Sequence, residues 1–149
     1  MTVTVRPVTP SDREEWAVAY RGYRDFYQVD HDQTAIDTVW SWLHDESHEV
    51  RGLVAELDGK VVGLAHYRSF ARPLAGATGI FLDDLVTTPE ARGHGAATAL
   101  MDRLGEIARD EGAVVVRWLT AEDNETARRL YDQRAKATKF ITYDMPPAS

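Results

Sequence analysis

Hydrophobic positions change their spacing several times along this chain, and each change marks a predicted element. Val3 and Val5 alternate with polar residues and predict a short opening strand that ends at Pro7. Aromatic residues at helical spacing then predict one face of a first helix. These aromatic residues are Trp16, Tyr20, Tyr23 and Tyr27. A second amphipathic helix is predicted over about residues 34–45.

A β-hairpin, a further strand and a long helix are predicted for the middle of the chain. Residues 53–57 and 61–67 are strand-like and flank Asp58-Gly59, a pair typical of tight turns. Residues 80–86 are predicted as the next strand. Beyond Gly95, apolar residues at three- and four-residue intervals predict a helix that Gly112 ends. These apolar residues are Ala97, Leu100, Met101, Leu104, Ile107 and Ala108.

The last third of the chain predicts strand, helix and strand. Residues 114–119 are apolar and rich in valine, which favours a strand buried on both faces. A helix is predicted to open at residues 124–127, and residues 139–143 predict a closing strand. Because a helix connects residues 80–86 to residues 114–119, these two strands are expected to be parallel. The predicted fold class is α/β (α+β mixed), one domain over residues 1–149 with helices on both faces of a mixed sheet.

Composition narrows the class of protein. The chain has 149 residues and no cysteine, which excludes disulfides, a thiolate nucleophile and cysteine metal ligands. No metal site is expected. No apolar run approaches a membrane span and the N-terminus lacks a signal-peptide pattern, so a cytoplasmic location without a membrane partner is expected. The net charge of −7 argues against a nucleic-acid partner; it suits a cationic acceptor, or it simply maintains solubility.

The segment between the strand at residues 80–86 and the long helix carries candidate binding chemistry. Gly93 and Gly95 leave the backbone uncovered, and Ala96 and Ala97 keep the first helical turn small. The free N–H groups and the dipole of a helix N-terminus bind phosphate groups, and Arg92 adds a full positive charge. The pattern therefore predicts a site for a phosphate or pyrophosphate.

Three other interpretations of these glycines are possible. A P-loop requires Lys-Ser/Thr after its last glycine, where this chain has Ala96-Ala97. A dinucleotide-binding loop requires a third glycine where this chain has Thr98. The glycines alone are also compatible with a tight turn that binds nothing.

Three motifs together resemble the GCN5-related N-acetyltransferases, the GNAT family. Residues 92–97, Arg-Gly-His-Gly-Ala-Ala, match the family motif Arg/Gln-x-x-Gly-x-Gly/Ala. Residues 85–91 are similar to the strand end and loop that precede this motif. Residues 124–131, Asn-Glu-Thr-Ala-Arg-Arg-Leu-Tyr, are similar to the family segment Asn-x-x-Ala-x-x-Leu-Tyr. The predicted order of elements also agrees with the family along nearly the whole chain.

The resemblance implies the GNAT fold, with a mostly antiparallel central sheet and a splayed parallel strand pair, and acetyl-CoA as cosubstrate. In this family the pantetheine arm inserts where the two parallel strands splay apart, and the pyrophosphate lies on amides of the glycine loop. The implied cofactor-binding residues are Leu85, Val86, Thr87, Arg92, Gly93, His94, Gly95, Ala96, Ala97, Thr98, Asn124 and Tyr131.

The resemblance also implies direct acetyl transfer without a covalent enzyme intermediate. A backbone N–H near Val86 is the implied donor to the oxyanion, and Tyr131 matches the tyrosine that protonates the leaving thiolate. In the diamine-acetyltransferase branch the strand has Phe-Leu-Glu-Asp, and Asp83 matches the glutamate that serves as base through water. Because adjacent strand residues point to opposite faces, at most one of Asp83 and Asp84 is expected to face the acceptor. Pairing with an arginine, or binding of a cationic amine, is the alternative role for these carboxylates.

Several residues have weaker assignments. His66 is expected in a packed or surface position rather than in an acceptor cleft. His31 and Asp32 are candidate acceptor contacts, because the loop at residues 27–33 covers the acceptor region in the family. Ala135 stands where the family has a glycine before its last strands, which is a departure from the pattern.

The predicted function is transfer of an acetyl group from acetyl-CoA to a primary amine of a small cationic molecule, polyamine-like or amino-acid-like, through a ternary complex. One alternative is acetylation of a protein N-terminus or lysine, and another is a non-catalytic acyl-CoA-binding module. The resemblance also implies a homodimer.

Overall fold

A computed structural model describes residues 2–29 and 32–149 and divides the chain into two compact units. The first unit extends to Leu119 and contains the sheet and three of the four helices. The second unit, Thr120–Ser149, contains the fourth helix. The expectation of a single domain stays a prediction.

A five-stranded sheet forms the centre of the first unit, with the strands side by side in chain order. The strands are β1 (Val3–Pro7), β2 (Arg51–Leu57), β3 (Lys60–Arg72), β4 (Ala77–Thr87) and β5 (Val116–Trp118). Strands β1 to β4 pair with one another in antiparallel fashion, whereas β4 and β5 are parallel. The predicted hairpin and the predicted parallel pair are therefore both confirmed, as is the mixed α/β fold class.

Helices of the first unit pack on both faces of this sheet. Helices α1 (Arg13–Phe26) and α2 (Gln33–Leu43) cover one face, where Trp16 and Ile36 pack on buried residues of β2, β3 and β4. Helix α3 (Ala96–Glu111) covers the other face. It ends at Gly112, which has a left-handed φ of 73°, as the sequence predicts.

Alternating positions along the strands supply the two cores. The α3 side is formed by residues that include Leu53, Ala65, Ile80, Leu82, Leu100 and Leu104. The α1 side is formed by residues that include Trp16, Tyr20, Val54, Leu64 and Val86. The sheet is thus buried on both faces, which fixes the direction of each side chain on β3 and β4.

Two predicted strands differ from the structure. Residues 139–143 form no strand, and Phe140 is 91% exposed, because no described strand pairs with this alternating segment. The strand predicted at residues 114–119 is only Val116–Trp118, and its side chains are half-buried rather than fully buried. Apolar sequence alone produces neither pairing nor burial when no neighbouring layer covers it.

The second unit has one regular element, α4 (Glu125–Arg134). Asn124 caps it, since its side-chain oxygen accepts a hydrogen bond from the backbone N–H of Ala127 at 3.4 Å. The predicted helix start is therefore confirmed.

A partly buried ion pair joins β1 to the start of α1. Arg6 donates through two guanidinium nitrogens to the carboxylate of Asp12, at 2.7 and 2.8 Å, and also contacts Glu56. The Asp12 carboxylate accepts from the backbone N–H of Thr9 as well, at 2.7 Å, and its side chain is 5% exposed. The hydrogen bond from Arg6 is the main reason that the pKa of Asp12 falls from 3.8 to about 2.

We expect Asp12→Asn to lower the free energy of unfolding at pH 7 by about 2 kcal/mol, because a pKa depressed by nearly two units stabilises the charged native state by that amount. This contribution is complete above the unfolded-state pKa and is lost as pH falls towards 2. The acid-unfolding curve of the variant should therefore be flatter than that of the wild type between about pH 4 and 2. Urea titrations at several pH values measure both effects.

Asp37→Asn is the matched control for Asp12→Asn. Asp37 also pairs with an arginine, Arg13, but at 3.5 Å and with both side chains at least half exposed. The control should change stability by less than about 0.5 kcal/mol. Equal losses in the two variants would show that burial of the Arg6–Asp12 pair has no special effect.

Candidate functional site

Strands β4 and β5 are paired over only part of their length. Their parallel ladder joins Ile80–Leu82 to Val116–Trp118, whereas β4 continues to Thr87, which still pairs with Gly63 of β3. Beyond Leu82, no described strand pairs with the edge of β4 that faces β5. Leu85, Val86 and Thr87 lie on this stretch, and the backbone of its free edge can pair with an extended ligand.

A loop that contains Gly93 and Gly95 follows β4 and leads into α3. A 3₁₀ turn at Pro89–Ala91 redirects the chain, and Arg92 follows it as an exposed residue. Gly93 and Gly95 have φ values of 85° and 84°, in the region that favours glycine. A Cβ atom at either position would meet no atom within 4 Å. The backbone here faces open space, so a ligand can approach it closely.

The first turn of α3 offers free backbone donors. The first helical hydrogen bond runs from the N–H of Ala99 to the carbonyl of Gly95, at 2.9 Å. The N–H groups of Ala96, Ala97 and Thr98 therefore precede any intrahelical acceptor, and the positive end of the helix dipole lies among them. With exposed Arg92 beside them, these residues fit the pyrophosphate of a CoA molecule.

A β-bulge in β4 places both carboxylates of the Asp83-Asp84 pair on the α1 side of the sheet. His66 pairs with Asp84 and Tyr67 with Leu82, so Asp83 is an extra residue in β4. Asp83 contacts Arg68 and Asp84 contacts His66, and these two partners lie two positions apart on one face of β3. The expectation that the two carboxylates point to opposite faces is therefore wrong, because strict alternation does not hold across a bulge.

Asp84 belongs to a hydrogen-bonded chain that begins in the core. Trp16 donates its indole N–H to Nε2 of His66 at 2.9 Å. Nδ1 of His66 lies 2.8 Å from Oδ2 of Asp84, and the hydroxyl of Tyr20 donates to the same oxygen at 3.1 Å. His66 is 1% exposed. The expected packed position of His66 is thus confirmed, although no sequence pattern indicates its partners.

Asp83 has a different environment. Its carboxylate accepts a hydrogen bond from Nε of Arg68 at 3.0 Å, and the Arg68 guanidinium also lies over the ring of Phe81. Burial raises the pKa of Asp83, while the hydrogen bond from Arg68 opposes that rise. A carboxylate with a raised pKa is better suited to accept a proton than an ordinary one.

The tyrosines of α1 near these carboxylates are held in their protonated form. Burial is the main cause of the raised pKa values of Tyr20 and Tyr23, and the negative charge of Asp84 adds to it. Tyr20 therefore stays a hydrogen-bond donor to Asp84 over the whole neutral range of pH.

The other predicted site residues are distributed over both units and the loops. Asn124 and Tyr131 belong to the second unit, where Asn124 caps α4 and Tyr131 is a half-buried residue of that helix. His31 lies outside the described residues. Asp32 caps α2 by accepting from the backbone N–H of Thr34 at 2.9 Å. His94 is exposed in the loop, as expected.

Residues 2–29 and 32–149 contain neither a cluster of metal-ligating side chains nor a membrane-spanning helix. No group of three or more histidine, aspartate or glutamate side chains is placed to hold a metal ion. No helix in this part of the chain has the length and apolar character needed to cross a membrane.

The family model described as Acetyltransferase (GNAT) family matches residues 16–135. A D-amino-acid N-acetyltransferase of Saccharomyces cerevisiae is 24% identical over 143 residues, covering 95% of this chain and 89% of the relative. A thialysine N-epsilon-acetyltransferase of Caenorhabditis elegans is 30% identical over 148 residues, covering 95% of this chain and 91% of the relative.

Solved structures agree in fold. An aminoglycoside N-acetyltransferase determined in complex with CoA superposes with a TM-score of 0.80 at 14% sequence identity, covering 99% of this chain and 96% of that one. The match to the family model places this chain in a class of acyl-transfer enzymes, and the fold agrees with that class. The chain belongs to the GNAT family of N-acetyltransferases.

Proposed function

We propose that this protein transfers an acetyl group from acetyl-CoA to a primary amine of a small cationic molecule, polyamine-like or amino-acid-like, through a ternary complex. The observation that carries the proposal is the first turn of α3. Its free N–H groups, the open backbone at Gly93 and Gly95 and the charge of Arg92 together suit a pyrophosphate. The free edge of β4 at Leu85–Thr87 adjoins this loop in the chain and suits an extended pantetheine arm.

Acetyl-CoA, when bound, would supply the activated thioester. In the proposal Asp83 takes the proton of the acceptor amine, directly or through water, and its raised pKa favours that role. The backbone near Val86 provides the N–H that binds the oxyanion, and the hydroxyl of Tyr131 gives a proton to the leaving thiolate. The roles of Asn124 and Tyr131 in binding CoA rest on the family resemblance.

The preference for a cationic small amine rests on the Asp83-Asp84 pair. Both carboxylates lie on one face of the sheet, and only Asp83 is paired with an arginine. The relatives named above act, by their names, on a D-amino acid and on thialysine, which are small amines. The proposal includes a homodimer and a cytoplasmic location from family resemblance and composition, and no nucleic-acid or membrane partner.

An acceptor screen tests the proposed function. Purified protein with acetyl-CoA is offered polyamines, D- and L-amino acids, thialysine and peptides with free N-termini or lysines, while release of free CoA is measured. Turnover of small amines and not of peptides is the expected result. Turnover of peptides alone would instead favour a protein acetyltransferase, and CoA binding without any turnover would favour a binding module.

We expect Tyr131→Phe to lower kcat about 100-fold with the KM for acetyl-CoA little changed, because it removes a proton donor and leaves the ring in place. Tyr143→Phe is the matched control, since Tyr143 is an exposed tyrosine of the same unit. Steady-state rates across pH compare the two variants. A Tyr131→Phe enzyme as fast as the wild type at every pH would remove Tyr131 from the mechanism.

A further inference from the structure

His66 is a buried titratable group for which the proposed mechanism has no direct use. Its ring lies between the indole of Trp16 and the carboxylate of Asp84, and neither ring nitrogen reaches solvent. The same ring packs edge-on against Tyr20, with centroids 4.7 Å apart. A histidine enclosed in this way cannot contact an acceptor, so any effect on the reaction must pass through Asp84.

The hydrogen bonds determine the tautomer of His66. The indole N–H of Trp16 can only donate, so Nε2 of His66 must accept and carries no proton. The ring proton is therefore on Nδ1, where it is directed at Oδ2 of Asp84. His66 is thus neutral, and it donates to Asp84 without cancelling the charge of that carboxylate.

The two oxygens of Asp84 are used unequally. Oδ2 accepts from both Nδ1 of His66 and the hydroxyl of Tyr20. Oδ1 is the oxygen that neither of these two donors uses, and the side chain of Asp84 is 20% exposed. Two donors on one oxygen fix the plane of the carboxylate and leave the other oxygen and the negative charge for a ligand.

We propose that Trp16 and His66 are positioning residues for the acceptor amine. Trp16 fixes the tautomer of His66, and His66 and Tyr20 hold Asp84 as an oriented carboxylate whose Oδ1 binds the ammonium group of the acceptor. This inference rests on the proposed function, because it assigns the recognition of the amine within the same site. It leaves proton removal to the neighbouring Asp83, which is outside this hydrogen-bonded chain.

Two substitutions of His66 separate positioning from packing. His66→Asn places an amide N–H near the position of Nδ1 and keeps a donor to Asp84, whereas His66→Leu fills similar space and has no donor. The KM for the best amine of the screen should rise about tenfold in His66→Leu and less than about threefold in His66→Asn, as expected for loss of one hydrogen bond to a charged group. The KM for acetyl-CoA should stay unchanged in both.

Trp16→Phe tests the hydrogen bond from the indole of Trp16 to His66. It removes the N–H that fixes the tautomer and keeps an aromatic ring in the core, and the KM for the amine should rise about three- to tenfold. Trp42→Phe is the matched control. Trp42 is partly exposed and stacks on His48, which is not a member of the hydrogen-bonded chain from Trp16 to Asp84. Equal amine KM values in wild type, Trp16→Phe and His66→Leu would overturn the inference.

A measurement without turnover separates this inference from the proposed function. In ¹⁵N-labelled wild-type protein, the His66 ring should show a protonated Nδ1 and an unprotonated Nε2, and the Trp16 indole resonance, assigned with Trp16→Phe, should shift on titration with 1,4-diaminobutane. A proton on Nε2, or an indole resonance that saturating amine does not move, would refute the positioning role even in an active enzyme. The expected spectra in a protein that acetylates no amine would refute the proposed function alone.

Discussion

Arg92→Glu should weaken CoA binding about 100-fold. The substitution removes a charge-assisted hydrogen bond to the pyrophosphate and places a negative charge beside it, and each tenfold loss of affinity corresponds to only about 1.4 kcal/mol. Arg92 is exposed and directly precedes the open backbone at Gly93, so the fold should tolerate the change. Isothermal titration with CoA measures the effect directly and requires no acceptor amine.

Arg109→Glu is the matched control for charge reversal. Arg109 lies in the last turn of α3, at the opposite end of the helix from Arg92, and pairs at the surface with Asp110. The control should bind CoA within about twofold of the wild type, since a distant exposed charge is largely screened at physiological ionic strength. Unaltered affinity in Arg92→Glu would mean that this loop does not hold the pyrophosphate.

Leu100→Ala should lower the free energy of unfolding by about 2–5 kcal/mol. Leu100 is fully buried in the core between α3 and the sheet, and its Cδ1 lies 3.4 Å from the position a Cβ at Gly63 would occupy. Shortening this side chain leaves a cavity that the rigid sheet cannot fill. Urea unfolding followed by tryptophan fluorescence measures the loss as a lower midpoint at an unchanged slope.

Val18→Ala controls for truncation of an apolar helical side chain. Val18 lies on α1 and is 67% exposed, so the change should cost less than about 0.5 kcal/mol. A loss below 1 kcal/mol in Leu100→Ala would contradict the close packing of α3 on the sheet.

Leu100 lies about one helical turn after Ala96, the first residue of α3. We therefore also expect Leu100→Ala to bind CoA more weakly than the wild type.

Local patterns determined most of the elements of this protein and the shape of the loop that contains Gly93 and Gly95. Spacing of three and four residues identified α3, and Asp58-Gly59 identified the hairpin, because helix and turn formation depend on near neighbours in the chain. Gly93 and Gly95 have the positive φ values that glycine allows most readily, so the shape of the loop is also encoded locally. The motifs at residues 85–91, 92–97 and 124–131 together indicated the family.

Long-range packing, in contrast, set the arrangement of the two carboxylates and the conformation of residues 139–143. The bulge at Asp83 depends on how β4 pairs with β3, and no sequence signal marked it. The link from Trp16 to His66 joins residues 50 positions apart, which periodicity cannot reveal. Residues 139–143 have the alternation of a strand and form none, because strand formation requires a paired neighbour. The sequence alone thus determined the glycine loop that we propose binds acyl-CoA, while long-range packing determined the orientation of Asp84, the carboxylate that we propose receives the amine.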